Sequence, residues 1–295
     1  MTTRTQLPVF GFLCAVSILF WWQPLIATLG LAVANEAYTH ILLILPVSLA
    51  LILSQRTALR TIPERSIALG STVLLVAAFL AAVVRWGHTG TAQDVRLSLS
   101  MLALVTWWIG SVILCFGLQV FRSFLFPLCF LFWIVPIPSF LLNGIVKFLQ
   151  YKSAFAARVL FFIGGVPVSR DGIILSIPGL DLEVARECSS IRSSMMLVVV
   201  TMVLAQLFLH SPWRKALLIL LSVPLAVAKN GLRIFTIGEL ATRVDPSYLD
   251  GRLHRQGGVV FFVISLVALV FLLLIVRRND SSGALMNSVP AESRQ

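Results

Sequence analysis

The sequence predicts an all-α polytopic membrane protein of about eight transmembrane helices, with an interfacial helix and a short outer-face β-hairpin before the sixth span. Three observations predict it. The chain of 295 residues is 58% hydrophobic and only 12% charged, with a mean hydropathy of +0.96. Apolar runs long enough to cross a bilayer recur along almost all of it. Its basic residues sit at alternate ends of successive runs.

The first run, Leu7 to Ala27, follows Arg4 and lacks a small-residue cleavage site, so it reads as a span and not as a signal peptide. The next three are Tyr38 to Leu53, Ser66 to Val84 and Leu97 to Leu118. Phe124 to Leu142 reads as the fifth, Ser190 to Leu209 as the sixth, Ala216 to Ile237 as the seventh and Val259 to Val276 as the eighth. Arg4, then Arg56, Arg60 and Arg65, then Arg122, then Arg214 and Lys215, then Arg277 and Arg278 all fall on one side if the N-terminus is cytoplasmic. The pattern requires that Gly144 to Pro167 not cross. Lys147, Lys152 and Arg158 spread through it, so it reads as an interfacial or re-entrant helix.

After that segment the pattern changes. Val168 to Gly172 reads as a turn, Ile173 to Ile177 as a strand, Pro178-Gly179 as a second turn and Leu180 to Val184 as a strand of alternating apolar and acidic residues. Residues 1–278 therefore read as a single membrane domain, and 279–295 as a disordered cytoplasmic tail. Both termini are expected in the cytoplasm of a cell bounded by a bacterial-type inner membrane.

The net charge of +11 belongs to loops that report orientation, which argues against nucleic acid as a partner and for membrane lipids. The four cysteines show neither a close pair nor a metal-ligand spacing, so no disulfide, metal or cofactor is expected. Cys14, Cys115 and Cys129 lie in apolar runs and read as small buried hydrophobes.

Cys188 is different. It sits in the polar block Val184-Ala185-Arg186-Glu187-Cys188-Ser189-Ser190-Ile191-Arg192-Ser193-Ser194, which breaks into the apolar stretch from Met195. At the start of a helix that Ser189 and Ser190 can cap, the partial positive charge favours a thiolate. Arg186 and Arg192 add to this effect and Glu187 opposes it. An inert interfacial cysteine is the plain alternative.

Lys229-Asn230-Gly231-Leu232-Arg233 interrupts the seventh span, with Arg233 about 27 Å up the helix from Lys215. Asn230 and Arg233 share a face. A snorkelling arginine accounts for Arg233 alone but not for Asn230. His254, in Asp250 to Gly258 at the mouth of the eighth span, can exchange a proton near neutral pH, although a loop histidine is by default only solvated.

The topology brings a thiol, a guanidinium and an imidazole to the outer face from three helix ends, and acyl transfer gives all three a task. Cys188 would attack a peptide carbonyl, Arg233 would stabilise the oxyanion, and His254 would move the proton. Asn230, Ser189 and Arg192 are supporting candidates. The competing classes are a metal or serine intramembrane protease, for which no His-Glu-x-x-His helix is present, and a non-catalytic transporter or assembly factor for exopolysaccharide.

The blocks ECSSIRSS, NGLRI and LHRQGG, in that order, resemble the exosortase/archaeosortase family of integral-membrane cysteine transpeptidases. Asn35-Glu36-Ala37-Tyr38-Thr39-His40 and Ile134-Val135-Pro136-Ile137-Pro138 add to the resemblance, which covers most of the chain. It implies a Cys, Arg and His active site at Cys188, Arg233 and His254. Its implied partners are secreted proteins with a C-terminal sorting signal of the PEP-CTERM type: a short Pro-containing motif, a transmembrane helix and a basic end. Ser190 and Ile41 stand where many relatives have Gly, which leaves the subfamily and the motif it reads open.

Overall fold

A computed structural model describes residues 3–54, 66–87, 92–184, 191–245, 247 and 252–287; the side chains of 3–5, 252–257 and 279–287 lie outside that description. The backbone groups into two compact units, Met1–Leu142 and Asn143–Gln295. Among the described residues, six helices are long and apolar enough to cross a membrane, or up to eight if each of two bent pairs is one span. The polytopic all-α class predicted from the sequence holds.

In the first unit the predicted first span is two helices, α1 (Thr3–Phe20) and α2 (Trp22–Ala34), bent by 70°. Pro24 explains the break: its ring cannot sit over the carbonyl of Phe20, and α1 ends there. A 3-10 turn, Glu36–Tyr38, follows, with the Asn35 side chain accepting from the Ala37 N–H at 3.0 Å. It leads into α3 (Ile41–Ser54).

Helices α4 (Ile67–Trp86) and α5 (Gln93–Ser123) pack closely because Gly70 lets the backbones meet. A Cβ there would lie 2.5 Å from the Leu114 Cα. Trp107 and Trp108 on α5 donate to Leu13 O (3.2 Å) and Ser17 Oγ (2.9 Å), which ties α1 to α5. Cys115 is buried as expected, but Cys129 is exposed, a correction. An apolar run has no inward bias where its surroundings are lipid, which is as apolar as the core.

The predicted fifth span is also corrected. Helix α6 (Leu125–Phe130) passes into a 3-10 turn (Leu131–Ile134), the chain extends through Val135–Pro138, and α7 (Ser139–Ile163) leaves at 96°. Pro136 and Pro138 remove two N–H donors and push the residues before them out of helical geometry. The break exposes backbone groups, and three side chains from two elements satisfy them. Ser98 Oγ donates to Pro136 O at 2.6 Å, and Tyr38 Oη donates to Ile137 O at 2.7 Å. The Asp94 carboxylate accepts from the Ser139 N–H at 2.6 Å and from its hydroxyl. His40 meets Trp133 edge-on, with ring centroids 5.9 Å apart. The Asn35–His40 and Ile134–Pro138 blocks, far apart in sequence, are thus one structural feature.

In the second unit, α7 continues to Ile163, through most of the segment predicted to be interfacial. The predicted hairpin is a three-stranded antiparallel sheet of β1 (Ser169–Asp171), β2 (Ile174–Ile177) and β3 (Leu180–Glu183). Its first strand lies within the stretch predicted to be a turn. Ser169-Arg170-Asp171 is too short and polar to show a strand pattern, while Gly172 and Gly179 supply the left-handed turn positions at φ 61° and 81°. Leu175, Ile177 and Val184 join Ala154, Ala157, Phe161 and Ile234 in one core.

Helices α8 (Ile191–Phe208), α9 (Pro212–Arg243) and α10 (Arg252–Asn287) pack around a second core that includes Leu197, Leu218 and Leu269. Helix α10 continues past Asn279, the expected start of the tail, and 288–295 lie outside the described residues.

Tyr38→Phe removes one hydrogen bond from a buried break while keeping the ring. Stability is expected to fall by about 1 kcal/mol, read as a lower thermal midpoint in detergent. An unchanged midpoint would mean that the Ile137 carbonyl is satisfied otherwise.

Candidate active site

The site is built from the three-helix part of the second unit. At about 1.5 Å per residue the 32-residue helix α9 is about 48 Å long, more than the roughly 30 Å of a hydrocarbon core. Its surplus lies at the C-terminal end, where Ile234 packs into the core shared with α7 and the sheet and Glu239 pairs with Arg243 at 2.7 Å. The block Lys229 to Arg233 stands where the apolar part of α9 gives way to that end.

Lys229 is 5% exposed, Asn230 1% and Arg233 7%. That burial rules out a snorkelling arginine, whose guanidinium would reach water. Two like charges one helical turn apart repel, so the arrangement costs stability unless neighbours offset it. One offset is visible: the Lys229 ammonium donates to Ser193 Oγ in the first turn of α8. That bond joins the NGLR block to the start of the helix that follows Cys188.

Gly231 fixes α9 against α7 on the face opposite Lys229 and Arg233. A Cβ at this position would lie 2.6 Å from the Ala156 Cβ and 3.1 Å from the Ala157 N, so α9 lies directly on the α7 backbone. Among the predicted site residues, Asn230 and Arg233 share a buried stretch of α9. Arg192 lies in the first turn of α8 and is exposed. Cys188 and Ser189 lie outside the described residues. His254 lies in the first turn of α10, and its side chain is outside the description.

Two contributors were missed from sequence. Lys229 belonged to a recognised block but was given no role, although a lysine within an apolar helix was the available signal. Gln150, on α7, donates from Nε2 to Val184 O at 2.8 Å, and the Val184 N–H bonds Ile173 O at 3.0 Å. These bonds hold the chain just before Ala185. No local pattern marks Gln150, because its task exists only once β3 lies against α7.

Three residues join α8 to α9 and a short stretch joins α9 to α10, and short connections make packed neighbouring helices antiparallel, so α8 and α10 run the same way. The Arg277 guanidinium lies over the Phe208 ring, 5.8 Å from its centroid. The contact places the Arg277 turn of α10, ten residues before its end, beside the C-terminal end of α8. The Ser193 contact brings the Lys229 to Arg233 block to the N-terminal end of α8.

Gly231→Ala is expected to destabilise the protein by about 1–3 kcal/mol through overpacking against Ala156. Adding Ala156→Gly should recover part of the loss in thermal midpoint. A single variant as stable as the parent would show that the two helices can part without cost.

A family model described as transmembrane exosortase matches residues 21–271, a stretch that takes in α8, α9 and the Asn35–His40 and Ile134–Pro138 blocks. No curated protein and no solved structure matches the chain. The match extends over most of the sequence, and on that ground the chain belongs to the transmembrane exosortase family.

Proposed function

We propose that this protein is a membrane-embedded cysteine transpeptidase in which Cys188 is the nucleophile, Arg233 the oxyanion stabiliser and His254 the proton carrier. Membership of the exosortase family supports a membrane transpeptidase role in protein sorting in general. The observation that carries the finer reading is the buried Lys229–Arg233 face of α9, bonded to the first turn of α8. Cys188 stands three residues before Ile191, so at most about 11 Å of chain separates it from the start of α8. Arg233 lies one turn beyond Lys229, in the direction in which α9 runs past that start.

Counting at about 1.5 Å per residue from the Phe208–Arg277 contact, His254 comes about 9 Å farther along than Ile191. Three residues of chain can cover that difference, which supports one site for all three groups. Val184, buried and bonded at the other end of 185–190, limits the reach of Cys188 from the second side.

The chemistry follows in order. The Cys188 thiolate attacks the carbonyl carbon of the scissile peptide, and the negative charge developing on the carbonyl oxygen is met by the Arg233 guanidinium. The tetrahedral species collapses to a thioester as His254 gives a proton to the leaving amine. An acceptor nucleophile then attacks the thioester and the thiol is restored; water in the same place gives hydrolysis. Ser189 and Arg192 support the thiolate, and Asn230 supports the Arg233 face.

The substrate is a secreted protein whose C-terminal sorting signal, of the PEP-CTERM type, ends in a transmembrane helix and a basic segment. Processing takes place at the outer surface of the inner membrane, with both termini of the enzyme in the cytoplasm.

Processing of such a protein, co-expressed and followed by gel shift, is expected to stop with Cys188→Ala. It should fall about 10²- to 10³-fold with Arg233→Ala and about 10²- to 10⁴-fold with His254→Ala. Undiminished processing by the Cys188→Ala variant would sink the reading and favour the polysaccharide transporter or assembly factor, in which Asn230 and Arg233 line a path. Labelling of Cys188 by an impermeant maleimide added outside the inner membrane tests the orientation. Labelling only from the cytoplasm would reverse it.

A further inference from the structure

The roles given to Cys188, Arg233 and His254 leave the buried Lys229 without a task. An ammonium within an apolar helix bundle is costly enough that a methionine of similar reach would be the better filler, so its presence calls for a function. A lysine serving only as an interfacial anchor would run its stem along the helix toward water. Lys229 instead points sideways and bonds Ser193 Oγ on the neighbouring helix. It does so despite Arg233, of like charge, one turn away on the same face.

The neighbourhood shows what this bond controls. Helix α9 is held against α7 by the close approach at Gly231, so its position is set independently of Lys229. From Leu197 onward α8 is held by the apolar core to which Leu197 and Ala205 belong. The first turn of α8 is where Ser193 meets Lys229, and Cys188 precedes Ser193 by five residues.

We infer that Lys229 is a positioning residue: through Ser193 Oγ it holds the first turn of α8 against the Arg233 face of α9, and so sets where the chain departs toward Cys188. The inference rests on the transpeptidase reading of Cys188. It assigns Lys229 no contact with substrate and gives a reason for a hydroxyl at position 193.

The test uses the full-length protein in four variants, Lys229→Met, Ser193→Ala, the two combined, and Ser193→Thr. Processing of the co-expressed secreted protein is normalised to the amount of enzyme in the membrane. Alkylation of Cys188 by iodoacetamide is followed in a Cys14→Ala, Cys115→Ala, Cys129→Ala background, which needs no substrate. Lys229→Met and Ser193→Ala should each slow processing about 10- to 100-fold, the scale of misalignment by about an ångström. Each should also slow alkylation. The combined variant should be no slower than the slower single one, because both remove the same bond. Ser193→Thr, which keeps the hydroxyl, should restore both rates.

Ser193→Ala is mild enough to fold, and thermal midpoints identify any variant that does not. Parental rates in a folded Ser193→Ala protein, additive losses in the combined variant, or failure of Ser193→Thr to restore the rates would each overturn the positioning role. The Cys188 reading would stand through any of these results, since it fails only if Cys188→Ala still processes.

Discussion

A helix that breaks among apolar surroundings leaves carbonyls and N–H groups that water cannot reach, and a charge placed there must be met by the protein itself. Much of this structure follows from that requirement. In the first unit, Pro136 and Pro138 force an extended segment between α6 and α7. Ser98 and Tyr38 then meet the Pro136 and Ile137 carbonyls, and Asp94 meets the Ser139 N–H and hydroxyl at the exposed edge of the break. The bend of 96° persists because its backbone groups have partners drawn from elements far away in the chain. A proline pair without those partners would only unravel a helix.

The second unit applies the same requirement to charge. Lys229, Asn230 and Arg233 are all buried, with Lys229 and Arg233 on the face of α9 opposite the close approach of Gly231 to α7. Once buried, Lys229 needs a hydrogen-bond acceptor, and Ser193 provides one on the neighbouring helix. The polar bond is thereby converted into a constraint on how α8 begins. On the other side of 185–190, Gln150 does the same for Val184. The described residues Val184 and Ser193, on either side of 185–190, are each held by a side-chain hydrogen bond that apolar packing alone would not supply.

The spans were legible because the composition of a membrane helix is nearly uniform over its length: α3, α4, α5, α8 and the apolar part of α10 fall where the hydropathy places them. The breaks were less so. Trp22-Gln23-Pro24 and the Pro136–Pro138 pair lie inside runs that are apolar on average, and hydropathy does not register the loss of an N–H donor. Strand β1 was missed because three polar residues carry no alternation to detect; its pairing with β2 exists only after Gly172 turns the chain. The exposed Cys129 shows the same limit from another side, since an apolar run does not say which of its faces meets protein.

Sequence alone determined that this is a polytopic helical membrane protein, that it carries the blocks of the exosortase family, and that Asn230 and Arg233 interrupt an apolar helix at its far end. These are properties of residue type and spacing, which survive any arrangement of the helices. Only the tertiary structure decided that the Arg233 face is buried, that Lys229 is bonded to the start of α8, and that Tyr38 closes over the Pro136–Pro138 break. Each of those outcomes depends on a partner tens of residues away. A burial or a hydrogen bond between distant residues is settled by how closely two backbones approach, as at Gly231 and Ala156, and no local pattern encodes that distance.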